Sequence, residues 1–473
     1  MYHGLMAHSP DDNWDLAAAR VLARLSEDEG IEFVSSRGVP SLTSPLAAFL
    51  LRLSESGETD RADALADWLM EQQEVADLYA SDSELEALLH EEWDPLVQRV
   101  DRAASGKKKD VRNARNDELE QLLSQDPDNV ELYLVYGDWL QEQGDPLGEL
   151  MARQAVLAVD PTQENQTAAE EHLRRYQDYF LGRLIEAAKA VQLEWHMGFI
   201  RAVRLGLPAG SRDEYQGAIL LDWLLALPTA RFLRDLWLGP FDHRGADQYA
   251  EMMQVLLAAE RPTMRDLYIG PAEDTRAASW SDAGNLSGLA TGLPELRRLE
   301  VHTGHVTFDE LELPWIEELV LQIENLTPAN VAALAGSRLP FLERLELRSP
   351  GYTLGEDPQP LSRLLSGEGM PVLEALSLGL SSVTGVLLEL LVESPLLAQI
   401  EELDLSEAGL TDAGAALIAK HGERFSHLAR LDLSRNRLGQ EGIALVQGVC
   451  PEVLVDEQHS REPDDEHYNE TME

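Results

Sequence analysis

The sequence predicts an α/β repeat array, with parallel strands on one face and helices on the other, preceded by all-α helical domains. Three observations predict it. A six-residue core, L-x-x-L-x-L, recurs through the C-terminal half. A further apolar position recurs in phase, five residues after the last apolar strand position. The N-terminal half instead carries apolar residues at helical spacing.

Residues 1–103 read as an N-terminal helical domain. Trp14, Leu16, Ala17, Val21, Leu22 and Leu25 form a stripe with a period of about 3.6 residues. Ser44-Pro45 is a capping residue followed by proline at the first helical position. Leu46, Phe49, Leu50 and Leu53 line the inner face of that helix. Residues 104–115 are polar and aperiodic and hold Lys107-Lys108-Lys109, the only dense basic run of the chain. They read as an exposed linker, with contact to nucleic acid or to an acidic partner as the sharper alternative.

Residues 116–195 read as a second helical domain. A turn is expected at Asp126-Pro127-Asp128-Asn129, then a helix carrying Leu132, Leu134, Val135, Trp139 and Leu140. Gly144-Asp145-Pro146 ends it as a glycine cap and turn. The run Tyr136-Gly137-Asp138-Trp139-Leu140-Gln141-Glu142-Gln143-Gly144-Asp145-Pro146-Leu147-Gly148-Glu149 resembles the bacterial repeat-companion domain. It departs from that signature at Gly137, where alanine is usual, and at Gln141, where glutamate is usual. Trp195-His196-Met197-Gly198-Phe199 resembles that family's exit into its first repeat. The resemblance implies a bacterial protein whose following repeats are leucine-rich.

Residues 196–455 hold the repeats. Their cores are Ile200/Val203/Leu205, Leu233/Leu236/Leu238, Met264/Leu267/Ile269, Leu296/Leu299/Val301 and Ile316/Leu319/Leu321. Leu342/Leu345/Leu347, Leu373/Leu376/Leu378, Ile400/Leu403/Leu405 and Leu428/Leu431/Leu433 follow. Starts are separated by 33, 31, 32, 20, 26, 31, 27 and 28 residues, so most units have room for a helix after the strand. The 20-residue unit has room only for a turn or short 3₁₀ segment. Such units cannot bury their apolar side alone and must stack. Thr307, Thr327, Thr353, Thr384 and Thr411 follow the second apolar position and are expected to cap the convex helices. The pattern resembles the ribonuclease-inhibitor-like class of leucine-rich repeats, which is shared with Ran GTPase-activating proteins. It implies a leucine-rich-repeat solenoid, with regulation of a small GTPase as an alternative function. In the leucine-rich repeats that these units resemble, an asparagine satisfies the loop backbone; here it survives only at Asn436, so the resemblance implies irregular or water-satisfied turns in the middle units.

In each strand the residue between the last two apolar positions faces away from the core. That column reads Arg204, Trp237, Tyr268, Glu300, Val320, Glu346, Ser377, Asp404 and Asp432. Arg204, Trp237, Tyr268, Glu300, Glu346, Asp404 and Asp432 are the candidate partner-binding residues of a concave face. Residues 456–473 are acidic and polar and read as a disordered tail.

The 473-residue chain carries 85 acidic and 38 basic residues, a net charge of −47. That opposes binding to nucleic acid and to anionic membranes and favours a protein partner with a basic surface. A lone cysteine, Cys450, excludes an intrachain disulfide and suits a reducing compartment. The first residues lack the pattern of a secretory signal, so the cytoplasm is expected. No phosphate-cradling loop, dinucleotide fingerprint, zinc-binding helix or nucleophile elbow occurs. His302 and His305, the nearest histidine pair of the repeats, read as loop and surface residues. The expectation is a non-enzymatic interaction protein, a scaffold, inhibitor or assembly factor, without cofactor or metal.

Overall fold

A computed structural model describes residues 114–208, 211, 215–241, 248–271, 281–353 and 357–459. The helices expected within 12–103, the Lys107-Lys108-Lys109 run and residues 460–473 of the acidic tail lie outside the described residues.

Five helices open the described chain: α1 (Asp117–Gln125), α2 (Val130–Glu142), α3 (Pro146–Val159), α4 (Gln163–Arg175) and α5 (Gln177–Leu181). Asn116, Asn129 and Asp145 cap α1, α2 and α3 by accepting from Leu119 N, Leu132 N and Leu147 N. Pro146 follows as the first helical residue of α3. The motif glycines are where α2 and α3 cross: a Cβ on Gly148 would fall 2.6 Å from Gly137 O. Tyr133, Tyr136, Gly137 and Leu140 form the buried face of α2, while Leu134 and Val135 face solvent. Of the apolar residues expected on this helix, Leu134 and Val135 face solvent, and the two tyrosines, with more surface to bury, hold the buried face.

A 3₁₀ segment, Gly182–Ala190, leads into strands that follow one another across a single sheet. These are β1 (Val191–His196), β2 (Phe199–Leu205), β3 (Asp235–Leu238), β4 (Asp266–Ile269), β6 (Arg298–Thr303), β8 (Glu318–Ile323), β9 (Arg344–Arg348), β10 (Ala375–Gly379), β11 (Glu402–Asp404), β12 (Arg430–Asp432) and β13 (Glu452–Leu454). β1 runs antiparallel to β2, and every later neighbour is parallel. A separate short pair joins β5 (Asp282–Asn285) to β7 (His305–Thr307). The nine expected cores coincide with β2 through β12 of the large sheet, in register apolar on apolar.

Two edge strands escaped the sequence reading. β1 lies in a stretch read as helical, although Val191, Leu193 and Trp195 alternate with Gln192 and Glu194 at strand period. A tight turn with Met197 and Gly198 at positive φ joins it to β2, so one hairpin crosses residue 195. β13 caps the far edge by pairing with β12.

Helices lie between most successive parallel strands: α6 (Gly217–Leu225), α7 (Gln248–Leu257), α8 (Leu289–Gly292), α9 (Pro328–Gly336), α10 (Gln359–Leu364), α11 (Thr384–Glu393), α12 (Asp412–Lys420), α13 (Gly422–Phe425) and α14 (Gln440–Val446). The 20-residue unit has no helix; β7 fills its return. Strand leucines and helix residues such as Leu220, Met252, Leu334, Leu387 and Ile418 form one continuous core from Leu184 to Cys450. Burial holds the Cys450 thiol above its usual value, and its Sγ donates to Glu452 O.

Threonine capping holds for one unit. Thr327 Oγ1 accepts from Asn330 N in a capping box on α9. Thr411 starts α12 without a side-chain cap bond, Thr384 lies inside α11 and donates instead, and Thr307 lies in β7. Thr353 sits beside residues outside the description. Serines satisfy loop backbone groups in units that lack the asparagine. Ser349 Oγ accepts from Leu326 N and donates to Glu324 O, and Ser337 Oγ accepts from Leu311 N. At the preserved position, buried Asn436 donates to Leu405 O and Leu433 O and accepts from Leu410 N.

The tail begins docked, against the expectation of disorder from residue 456. Arg435 N donates to Asp456 O, His459 N to Asn436 O, and Gln458 Nε2 to Leu433 O. These residues satisfy backbone groups of the chain that follows β12.

Candidate functional site

Parallel pairing carries the predicted column straight across the sheet: Arg204 opposite Trp237, Trp237 opposite Tyr268, Tyr268 opposite Glu300, and Glu300 opposite Val320. Val320, Glu346, Ser377, Asp404 and Asp432 continue it. All lie on the sheet face away from the helix-packed core. The column divides into two chemically distinct halves.

The first half is a row of stacked rings. The Arg204 guanidinium lies 5.8 Å from the Trp237 ring centre. Trp237 stacks on Tyr268 at 5.4 Å and 27°, and Tyr268 meets His302 at 5.2 Å and 42°. Glycines after the strands make room. A Cβ on Gly239 would fall 2.4 Å from the Trp237 ring, and one on Gly270 2.5 Å from His302 O. Tyr268 donates its hydroxyl to Pro271 O at 2.5 Å, and burial, then the Glu300 charge, pushes its pKa up to about 12. His302 Nε2 lies 2.8 Å from Glu300 Oε1, without the alignment of a hydrogen bond. His302 was read as a surface histidine; its place two residues after Glu300 on a sheet of period two was the available signal.

Beside the rings stand Asp235 and Asp266, opposite each other on β3 and β4. Burial, then the Asp266 charge, pushes the Asp235 carboxyl up to about 6.

The second half is held by a residue the sequence reading passed over. Arg348 Nε donates to Glu346 Oε1 at 2.8 Å. Its Nη2 donates to Asp404 Oδ2 at 2.7 Å, Ser377 Oγ at 3.0 Å and Ser406 Oγ at 3.1 Å. Its Nη1 donates to Ser406 O at 2.9 Å. Glu346 also accepts from Gln322 Nε2 at 2.8 Å. Asp404 and Asp432 each accept from the backbone two residues on, at Ser406 N and Ser434 N. Glu346 and Asp404 are therefore internally engaged. Between the two lies a cleft of about 190 Å³ bounded by Pro271, His302, Gln322 and Arg348.

No described helix is long and apolar enough to cross a membrane. No family model matches the chain, and no curated protein does. Among solved structures the chain is similar to a protein from Bacteroides fragilis, at 22% identity and a TM-score of 0.44, over 63% of this chain and 84% of that one. It is also similar to an internalin from Listeria monocytogenes, at 16% identity and a TM-score of 0.25, over 53% of this chain and 68% of that one.

Proposed function

We propose that this chain is a non-enzymatic protein-interaction module of the leucine-rich-repeat kind, with the ribonuclease-inhibitor-like arrangement of strand and convex helix. In this reading α1 to α5 form a repeat-companion domain that closes the N-terminal end of a solenoid. The open face of the sheet is its concave binding surface.

One observation carries the reading. Arg204, Trp237, Tyr268 and His302 form a continuous row across four neighbouring strands, on a shelf made by glycines, on the face that no described helix covers. Large aromatic groups and arginine, already ordered before binding, are the side chains that anchor protein interfaces. Glu300, Asp235 and Asp266 surround the row with negative charge, and the chain's net charge of −47 extends it. The partner is a protein presenting a basic surface, and the module serves as scaffold, inhibitor or assembly factor within the cytoplasm.

The test is affinity capture by the full chain from the cells that make it, with Trp237→Ala/Tyr268→Ala alongside. The expected outcome is a protein bound by the wild type and lost from the variant. Equal recovery by both overturns the assignment of the ring row.

A further inference from the structure

A second surface lies along the edge where the strands begin. Residues at corresponding positions near the starts of successive strands are linked by backbone hydrogen bonds into one ladder. Its first members are arginines: Arg234 N donates to Arg201 O, Arg265 N to Arg234 O and Arg297 N to Arg265 O, at 2.8–2.9 Å. Its next members are glutamates: Glu317, Glu343, Glu374 and Glu401 each donate from N to the O of the residue before, at 2.7–2.9 Å. Arg297 and Glu317 pair where the sign changes.

Each ladder position has a corresponding residue two places ahead of it. At the arginine end that position is Phe232. It is buried beneath the α1–α5 block, edge-on to Phe199 at 4.7 Å and to Tyr133 at 6.0 Å. Asp128, from the turn before α2, completes the contact by pairing with Arg201 at 2.9 Å and Arg234 at 3.0 Å. The edge thus already docks one helical element by an aromatic anchor and a charge opposite to its own.

At the glutamate end the same position holds Trp315, Phe341 and Val372 in three consecutive units. They are 42%, 49% and 43% exposed. The Trp315 and Phe341 rings stack at 5.4 Å and 12°. Stacking of the units does not require apolar residues there, because Glu295, Gln399 and His427 occupy it in neighbouring units. Three adjacent exposed apolar side chains in register form a patch of the kind that marks a docking site. Glu343, Glu374 and Glu401 run exposed beside it.

We propose that the Trp315–Phe341–Val372 ridge docks a helical segment of a partner protein, with an apolar face on the ridge and Lys or Arg over the glutamates. Charge fixes the choice. A second copy of this chain, at net charge −47, would set acid against acid, as would an anionic membrane. This surface is separate from the ring row, and neither proposal depends on the other.

The probe is a fluorescein-labelled amphipathic peptide of Leu and Lys, titrated into the full chain by anisotropy. Trp315→Ser/Phe341→Ser removes the ridge without changing charge, so it separates docking from general attraction to an acidic protein. The expected result is at least about tenfold weaker binding in that variant. Glu343→Lys/Glu374→Lys should weaken binding too, and Val156→Ser on exposed α3 should not. A Leu/Glu peptide of the same pattern should not bind. Sedimentation reports the competing occupant. Equal affinity for wild type and Trp315→Ser/Phe341→Ser overturns the proposal. So does a wild-type dimer that this variant dissolves.

Discussion

Arg348 reaches from β9 past β10 to place its Nη2 2.7 Å from Asp404 Oδ2 on β11. A Cβ on Gly379, directly beneath, would stand 3.0 Å from Arg348 Cγ, so the reach uses a strand lacking a side chain there. The arginine gathers Glu346 and Asp404, which would otherwise repel each other, into one network. Arg348→Ala is expected to destabilise the repeats by about 2 kcal/mol, mainly by stranding two half-buried carboxylates. Urea denaturation checks it, and an unchanged midpoint would show that water replaces the guanidinium without loss.

Gly239→Ala puts a methyl where the Trp237 ring lies. The ring can swing away, so the fold survives but the stack on Tyr268 breaks. The expected cost is about 1–2 kcal/mol with altered near-UV dichroism. An unaltered aromatic spectrum would mean that the shelf does not set the ring's position.

Asp235 is held near pKa 6, above its ordinary value of 3.8, by burial and Asp266. The protonated form is therefore favoured by folding. Its stabilising effect is fully present below about pH 4 and is lost as pH rises through about 6. Asp235→Asn keeps a hydrogen-bond donor toward Asp266 and removes the charge. It should raise stability at pH 7.5 by about 1 kcal/mol, a figure reduced for solvent screening of a partly exposed group, and change nothing at pH 3.5. Melting curves at both pH values decide; a gain at low pH alone would reverse the sign.

Gly148→Ala drives a Cβ to 2.6 Å from both Gly137 O and Gln141 N, backbone atoms that cannot rotate aside. Separation of α2 from α3 should cost about 3 kcal/mol. Gly144→Asn, at positive φ with open space around it, should be tolerated within about 1 kcal/mol. Equal effects of the two, measured by thermal melts, would contradict the account of the helix crossing.

The strands of the large sheet were legible because their leucines repeat in phase, and the outward column followed from period two alone. What escaped was decided between distant residues. β1 lies at the end of a stretch read as helical, and the buried face of α2 is made by Tyr133 and Tyr136, which the sequence reading did not single out. Of the threonines, Thr307 lies in a strand, Thr384 lies inside its helix, and Thr411 starts its helix without a side-chain bond, so only Thr327 is seen to cap as expected. Arg348 sits in the third outward column, which the reading did not follow, and its reach to Asp404 depends on Gly379. The sorting of arginines and glutamates along the strand starts is visible only once the units are laid in register.

The central claim is that the ring row on the open face is where a partner protein binds. Hydroxyl-radical footprinting of the captured complex tests it most directly, because Trp237 and Tyr268 are partly exposed in the free chain. The account predicts that both become protected from oxidation on complex formation, while Val159 on α3 does not. Unchanged oxidation of Trp237 and Tyr268 in a stable complex would place the partner elsewhere and contradict the claim.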